Sequence, residues 1–252
     1  MNMTLTQLKT WLPQAVAVSG ASAAALTSHA VIKAVRTDSR SVIAGDLFIA
    51  LKGETFDGTA FLAQAQLQGA VAVLFEAQHP LKGELLQYLK DVSVPAYCVP
   101  NARAALGDLA TQWRSQFDLQ LIGVTGSNGK TTVTQMIASV LKADASRPSL
   151  STHGNLNNEI GVPLTLFNLR PEHRRAVVEL GMNHPGEIDT LARYAQPSIG
   201  SVYLSCAGNT AMPSAGKCRI TSPFSRATAS TVAMNSWCSR WALFTKPMVG
   251  CA

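Results

Sequence analysis

A glycine-rich segment near the middle of the chain has the residue types and spacing that hold nucleotide phosphates. It runs from Gly123 to Thr132 and reads Gly-Val-Thr-Gly-Ser-Asn-Gly-Lys-Thr-Thr. Glycines let backbone N–H groups turn towards an anion, and a following lysine reaches the outer phosphates. The strict pattern has glycine where this chain has Val124, so the spacing is a variant, and a chance surface turn is the alternative. The residues predicted to bind ATP are Gly126, Ser127, Asn128, Gly129, Lys130, Thr131 and Thr132.

Three asparagines stand between glycines in the segment 154–161, ahead of an apolar run. Asparagine side chains donate and accept hydrogen bonds without charge, as recognition of a sugar or a pyrophosphate requires. Asparagine is equally typical of an ordinary turn. From the residues alone, Asn155, Asn157 and Asn158 therefore form either a turn or a binding loop.

An acidic residue, Glu179, ends a strongly apolar run. A buried carboxylate is costly without a partner, and magnesium or Lys130 would serve; the hydroxyl of Thr131 is a further magnesium ligand. His184 lies in the following loop, on the side where open α/β sheets bind ligands, although a solvent-exposed loop histidine fits equally. Glu187 is expected to face solvent in the first turn of the next helix.

A polar loop near residue 40 also carries hydroxyls and an arginine. Ser39 and Arg40 precede a predicted strand, and such side chains are able to hold a diphosphate. Without further information, a surface turn is the simpler interpretation.

The segments that must position these residues alternate between strands and helices. Such alternation predicts βαβ units, and hence an α/β fold of two domains in series, at 1–118 and 119–200. The predicted strands cover residues 47–51, 70–75, 96–99, 119–122 and 176–180. The predicted helices cover residues 59–67, 102–116, which has Asn101 as its N-cap, and 133–141.

The composition changes abruptly near residue 200. The chain has 252 residues and a formal net charge of +6, but all 15 acidic residues precede residue 201. Four of the five cysteines follow it, at spacings that match no compact zinc site. We predict that residues 201–252 are read in a shifted frame, with the shift between about residues 199 and 205. A natural basic, disordered tail is the alternative, although such tails are usually poor in cysteine and tryptophan.

Taken together, the asparagine segment, the segment 179–188 and the polar segment 37–58 of the first domain resemble the Mur ligases, the ATP-dependent amide ligases of peptidoglycan synthesis. The resemblance covers about residues 5–200 and is greatest to members that join D-Ala-D-Ala to UDP-N-acetylmuramoyl-tripeptide. It implies a small N-terminal α/β domain for the UDP-linked substrate, followed by an incomplete P-loop central domain.

The resemblance also implies roles for individual residues. Lys130, Glu179 and His184 would be catalytic, and Thr131, Glu179 and His184 would hold Mg²⁺. The asparagines Asn155, Asn157 and Asn158 would face the substrate or nucleotide, and Ser39 and Arg40 would lie at the uridine diphosphate.

The sequence further predicts a cytoplasmic monomer without a signal peptide, a membrane-spanning segment or a nucleic-acid partner. Because the later motifs of the family are not recognisable, we expect this chain to bind the UDP-linked substrate weakly at best and to have little or no ligase activity. A sister ligase that adds the third peptide residue, or a non-catalytic nucleotide-binding module, are the alternatives.

Overall fold

The computed structural model describes residues 1–18, 30–53, 56–78, 81 and 85–203. The predicted out-of-frame tail lies outside the described residues from 204 onward, and its first three positions belong to the last strand. The first domain contains β1 (Met3–Thr4), α1 (Leu5–Trp11), β2 (Val16–Ala17), β3 (Val31–Ile32), β4 (Ala34–Arg36), β5 (Asp46–Ala50), α2 (Leu62–Leu67), β6 (Ala72–Glu76), α3 (Leu85–Leu89), β7 (Ala96–Val99) and α4 (Ala102–Arg114). The second contains β8 (Gln120–Gly126), α5 (Lys130–Ala143), β9 (Ser149–Ser151), α6 (Gly161–Leu166), β10 (Arg175–Glu179), α7 (Glu187–Ala195) and β11 (Ile199–Tyr203).

The first domain is built on a five-stranded sheet in the order β2-β7-β6-β5-β4. All its neighbours are parallel except β2, which pairs with β7 in the antiparallel sense. Because successive side chains of a strand point to opposite faces, Leu47 and Ile49 pack into one core while Phe48 and Ala50 pack into the other. Both faces are therefore covered, which explains why these strands are apolar without alternation.

The second domain is a parallel four-stranded sheet in the order β11-β8-β10-β9. Its strand β8 is central and ends at the glycine-rich segment. Helix α5 covers one face through residues spaced by about one turn, including Val133, Ile137 and Leu141. The predicted apolar periodicity is confirmed, although the helix begins three residues earlier than predicted, at Lys130.

The two domains share one hydrophobic core. Helix α4 of the first domain packs against α6 and α7 of the second, and its cluster of buried residues runs from Met3 to Ala195. At Gly107, an added Cβ would lie 2.1 Å from the ring of Tyr194. A side chain at position 107 would overlap this ring, so the observed packing of α4 on α7 needs glycine there.

The predicted strands and helices are confirmed within a few residues. Strand 96–99 agrees at both ends, and Asn101 does cap α4, since its Oδ1 accepts the N–H of Ala104 at 2.8 Å. The strand predicted at 119–122 runs on to Gly126. Within the described residues, no helix has the length and apolar character needed to cross a membrane.

Candidate functional site

The glycine-rich segment contains the end of β8, the turn that follows it and the start of α5. Gly129 has φ of +75° and Gly126 has φ of +148°, both in the region that favours glycine. The Nζ of Lys130 donates to the carbonyl of Gly126 at 2.8 Å and closes the loop. The first N–H groups of a helix have no partners within it, and the 14 residues of α5 add their dipole, so this turn suits a phosphate group.

Glu179 stands at the end of β10 and is only 2% exposed. Its Oε1 accepts a hydrogen bond from Nδ2 of Asn157 at 2.9 Å, and its own N–H donates to Oγ1 of Thr152 at 2.9 Å. Asn157 is thus a side-chain partner of this carboxylate, while Lys130, one of the two partners predicted for it, is directed to Gly126.

Asn157 is itself fixed against the end of β10. Its carbonyl accepts the N–H of Gly181 at 2.8 Å. A Cβ on Gly181 would lie 2.9 Å from the Asn157 side chain, so glycine is required for this close approach. The sequence analysis treated Asn157 and Glu179 as members of separate motifs, and the fold joins them into one polar pair.

The loop that carries His184 is held by Glu187. The Oε2 of Glu187 accepts the N–H groups of Asn183 at 2.6 Å and His184 at 3.1 Å. These backbone hydrogen bonds, led by the one from Asn183, lower the pKa of Glu187. Glu187 lies in the first turn of α7 as predicted, and its partly exposed carboxylate also orders the loop.

A cleft of about 340 Å³ lies between the two domains and brings several predicted residues together. The cleft is reached by Lys130 and His184, and by Asn157, which holds Glu179. From the first domain it is reached by Arg103. The lining residues are Arg103, Lys130, Asn157, Asn158, Glu159, Ile160, Gly181, Met182, Asn183, His184, Glu187 and Leu191. The cleft is thus lined by both cations and carboxylates.

Asn158 lines the cleft but also has a structural role. Its Oδ1 accepts the N–H groups of Ile160 at 3.1 Å and Gly161 at 2.8 Å, at the start of α6. The turn interpretation of this asparagine is therefore supported by its contacts. Asn155 is exposed and is not among the lining residues.

Other predicted site residues are not among those that line the cleft. Thr131 and Thr132, in the first turn of α5 after Lys130, are exposed and line a second, shallow depression. Ser39 is buried and Arg40 is exposed in a short 3-10 turn of the first domain, where Arg40 pairs with Asp38 at 2.7 Å. Neither Ser39 nor Arg40 is among the residues that line the cleft.

Arg103 is the residue that the sequence analysis missed. It is the second residue of α4, directly beyond the carboxyl end of β7. The signal was available, because a cation just after a strand end is placed where α/β sheets bind ligands. It was read only as part of a helix.

Few metal-ligating side chains lie close together among the described residues. They contain no group of three or more His, Cys, Asp or Glu side chains that would hold a metal ion. Any ion at this site would therefore need hydroxyl, phosphate or water oxygens besides the single buried carboxylate of Glu179.

Comparison with known protein families gives a match in each of the two domains. Residues 31–114 match the family described as "Mur ligase family, catalytic domain", and residues 124–203 match "Mur ligase middle domain". The chain belongs to the Mur ligase family. The predicted resemblance and the predicted α/β fold are thereby confirmed.

Individual members of the Mur ligase family are similar over both domains. The UDP-N-acetylmuramoyl-tripeptide–D-alanyl-D-alanine ligase of Haemophilus influenzae is 42% identical over 173 residues, which are 68% of this chain and 36% of that enzyme. The crystal structure of MurF from Acinetobacter baumannii matches with a TM-score of 0.67 at 37% identity, over 80% of this chain and 41% of that one.

A third Mur ligase was solved with a nucleotide. MurF from Thermotoga maritima, in complex with ADP, matches with a TM-score of 0.54 at 30% identity, over 66% of this chain and 36% of that one. In all three comparisons, the chain spans less than half the length of its relative.

Proposed function

We propose that this chain provides the substrate-binding and ATP-binding parts of a ligase that joins D-Ala-D-Ala to UDP-N-acetylmuramoyl-tripeptide. The observation that carries the proposal is the cleft between the domains, where Lys130 and His184 of the phosphate-binding domain face Arg103 of the first domain. The similar proteins named as tripeptide ligases support the choice of substrates.

The proposed reaction has two steps. An oxygen of the peptide's terminal carboxylate attacks the γ-phosphorus of ATP, the bond to the β-phosphate oxygen breaks, and ADP leaves. The amine of D-Ala-D-Ala then attacks the carbonyl carbon of the acyl phosphate, loses a proton and releases phosphate. The protein's contribution to both steps is positioning and charge stabilisation.

Lys130 and the turn around it would hold the triphosphate. To reach the γ-phosphate, Lys130 would exchange its bond to the Gly126 carbonyl for one to phosphate oxygen. The space beside Gly129 is open to a ligand, since a Cβ added there would have no neighbour within 4 Å. Ser127, Asn128 and Thr132 complete the proposed nucleotide contacts.

Magnesium fits part of the donor set proposed for it. The hydroxyl of Thr131 and the carboxylate of Glu179 are the oxygen ligands that Mg²⁺ prefers, while His184 offers nitrogen, which suits it less well. When bound with ATP, the ion would neutralise phosphate charge. Asn157 would then orient the Glu179 carboxylate through the hydrogen bond already present.

The uridine diphosphate would bind in the first domain. Ser39 and Arg40 remain the proposed contacts, and Arg40 would approach the diphosphate from its turn while paired with Asp38. Asn155 and Asn158 remain proposed contacts to substrate or nucleotide. We further propose a cytoplasmic, monomeric protein.

Two measurements test this function. In calorimetric titrations of the 252-residue chain with a non-hydrolysable ATP analogue, Lys130→Ala should weaken binding by about a hundredfold, because a charge-assisted contact to the γ-phosphate is lost. Lys142→Ala, on an exposed lysine in the last turn of the same helix, is the control and should leave the affinity unchanged. Equal effects of the two substitutions would contradict a phosphate-binding role for Lys130.

The second measurement is phosphate release in the presence of ATP and both other substrates. Binding of ADP and UDP-N-acetylmuramoyl-tripeptide with little phosphate release is the expected result. Release at the rate typical of the longer relatives would contradict the expected low activity. A preference for the dipeptide precursor would indicate the sister ligase, and binding of ADP without any UDP-linked ligand would indicate a nucleotide-binding module.

We also propose that residues 201–252 are translated in a shifted frame, with the shift between about residues 199 and 205. The support is compositional: five basic residues and no acidic residue occur among the last 52. The coding DNA from codon 195 onward should, in another frame, restore acidic residues and apolar periodicity. Early stop codons in both other frames would show that the tail is genuine.

A further inference from the structure

Arg103 is a cation on the first-domain wall of the cleft that the ATP-binding scheme does not use. It is exposed and lines the same cavity as Lys130 and His184. In the part of the chain that the structure describes, no carboxylate forms an ion pair with it. We propose that Arg103 binds the terminal carboxylate of the UDP-linked peptide, an inference that rests on the proposed function.

The backbone around Arg103 is firmly held. Asn101 caps the first turn of α4 through the N–H of Ala104 at 2.8 Å, and Oε2 of Glu76 accepts the N–H of Ala102 at 3.1 Å. One Nη of Arg103 donates to the carbonyl of Lys52 at 3.3 Å. This contact orients the guanidinium group and is its one side-chain hydrogen bond among the described residues, which leaves most of its five N–H groups for a ligand.

The remaining N–H groups match a carboxylate. A guanidinium group presents parallel donors that bind both oxygens of a carboxylate, which a lysine ammonium group does not do. Two carboxylates line the cleft: Glu187 accepts the N–H groups of Asn183 and His184, and Glu159 forms no ion pair with Arg103 among the described residues. Arg103 therefore has the chemistry and the open donors to hold an anionic ligand group.

The position of Arg103 favours the peptide over the nucleotide. Lys130 and the first turn of α5 supply the positive field for phosphates on one wall, whereas Arg103 lies on the wall built by the substrate-binding domain. A peptide that extends from the first domain towards ATP must enter between these walls. A volume of about 340 Å³ is enough for the end of a peptide but small for a whole UDP-sugar peptide.

A comparison of two ligands tests this inference directly. The ligands are UDP-N-acetylmuramoyl-tripeptide and the same compound with its terminal carboxylate converted to a carboxamide. Wild-type chain should bind the acid tenfold or more tightly than the carboxamide, because a charge-assisted contact is lost. Arg103→Met should bind both ligands with the affinity that wild type has for the carboxamide.

Two variants make the result specific. Arg103→Lys keeps the charge without the paired donors and should retain only part of the preference for the acid. Arg147→Met removes an exposed arginine that pairs weakly with Asp144 at 3.9 Å, away from the cleft, and should keep the full preference. Because Arg103 is exposed, we expect its variants to fold, and thermal unfolding of each variant checks that they do.

Each alternative gives a different outcome. If Arg103→Met keeps the preference for the acid, or weakens both ligands equally, the inference is wrong. A loss of ADP affinity in Arg103→Met, with the acid preference intact, would assign the residue to ATP phosphates instead. If wild type binds neither UDP-linked ligand, the proposed function fails and this inference fails with it. Binding without an Arg103-dependent preference overturns this inference alone.

Discussion

At the scale of single residues, the pair of Asn157 and Glu179 links the stability of the second domain to its site. Asn157→Ala would remove the donor from a carboxylate that is 2% exposed. We expect the free energy of unfolding to fall by about 1–3 kcal/mol, because a buried acceptor is left without its partner. Urea denaturation measures this change. Asn155→Ala, on an exposed side chain two residues away, should stay within about 0.5 kcal/mol of wild type.

A second residue-scale prediction concerns the turn of Ser39 and Arg40. Hydrogen bonds from the Arg40 side chain lower the pKa of Asp38 to about 2. Because the folded pKa is depressed, the ion pair is complete above the unfolded value of 3.8 and is lost as the pH falls towards 2. Carbon NMR of the Asp38 carboxyl group should show a midpoint near 2, and Arg40→Ala should raise it towards 3.8. A midpoint unaffected by this substitution would show that the pair does not form in solution.

At the scale of elements, the docking of α4 on α7 depends on the absence of a side chain at Gly107. Gly107→Ala would bring a Cβ within 2.1 Å of the Tyr194 ring. Alanine usually stabilises a helix relative to glycine, but here overpacking should lower the free energy of unfolding by about 1–3 kcal/mol. The double variant Gly107→Ala with Tyr194→Ala should recover part of the loss caused by the clash. Additive effects in this cycle would show that the two residues do not interact.

The sequence predicts the elements better than the contacts between them. The strands at 96–99 and 176–180 could be located because they are continuous apolar runs between polar breaks. The pairing of Asn157 with Glu179 could not, because it joins residues 22 apart through the parallel sheet. The sequence shows that Arg103 lies beyond a strand end, but only the docking of the two domains places it opposite Lys130.

At the scale of the whole molecule, a buried arginine connects the two domains. Arg114 ends α4 and is 8% exposed, and burial lowers the pKa of its guanidinium group. It donates to the carbonyl of Phe117 at 2.8 Å, before β8, and to that of Ala195 at 3.2 Å, at the end of α7. Weaker contacts at 3.5 Å reach the carbonyls of Leu119 and Gln196. The Arg114 side chain thus connects the end of α4 with the segment before β8 and with the end of α7.

Replacing Arg114 with methionine should weaken the coupling between the domains. We expect a loss of about 2–4 kcal/mol in the free energy of unfolding, since several buried carbonyls lose their donor at once. Arg114→Lys should not restore it, because a single ammonium group cannot reach carbonyls on both domains.

In hydrogen exchange, the core strands of the two sheets should open together in wild type, whereas β8 and β10 should open more readily than β6 and β7 in Arg114→Met. The control is Arg193→Met, which breaks an exposed ion pair with Asp108 at 3.6 Å across the same interface and should change little. Equal effects of the two methionine variants would show that general packing, rather than the buried guanidinium group, couples the domains.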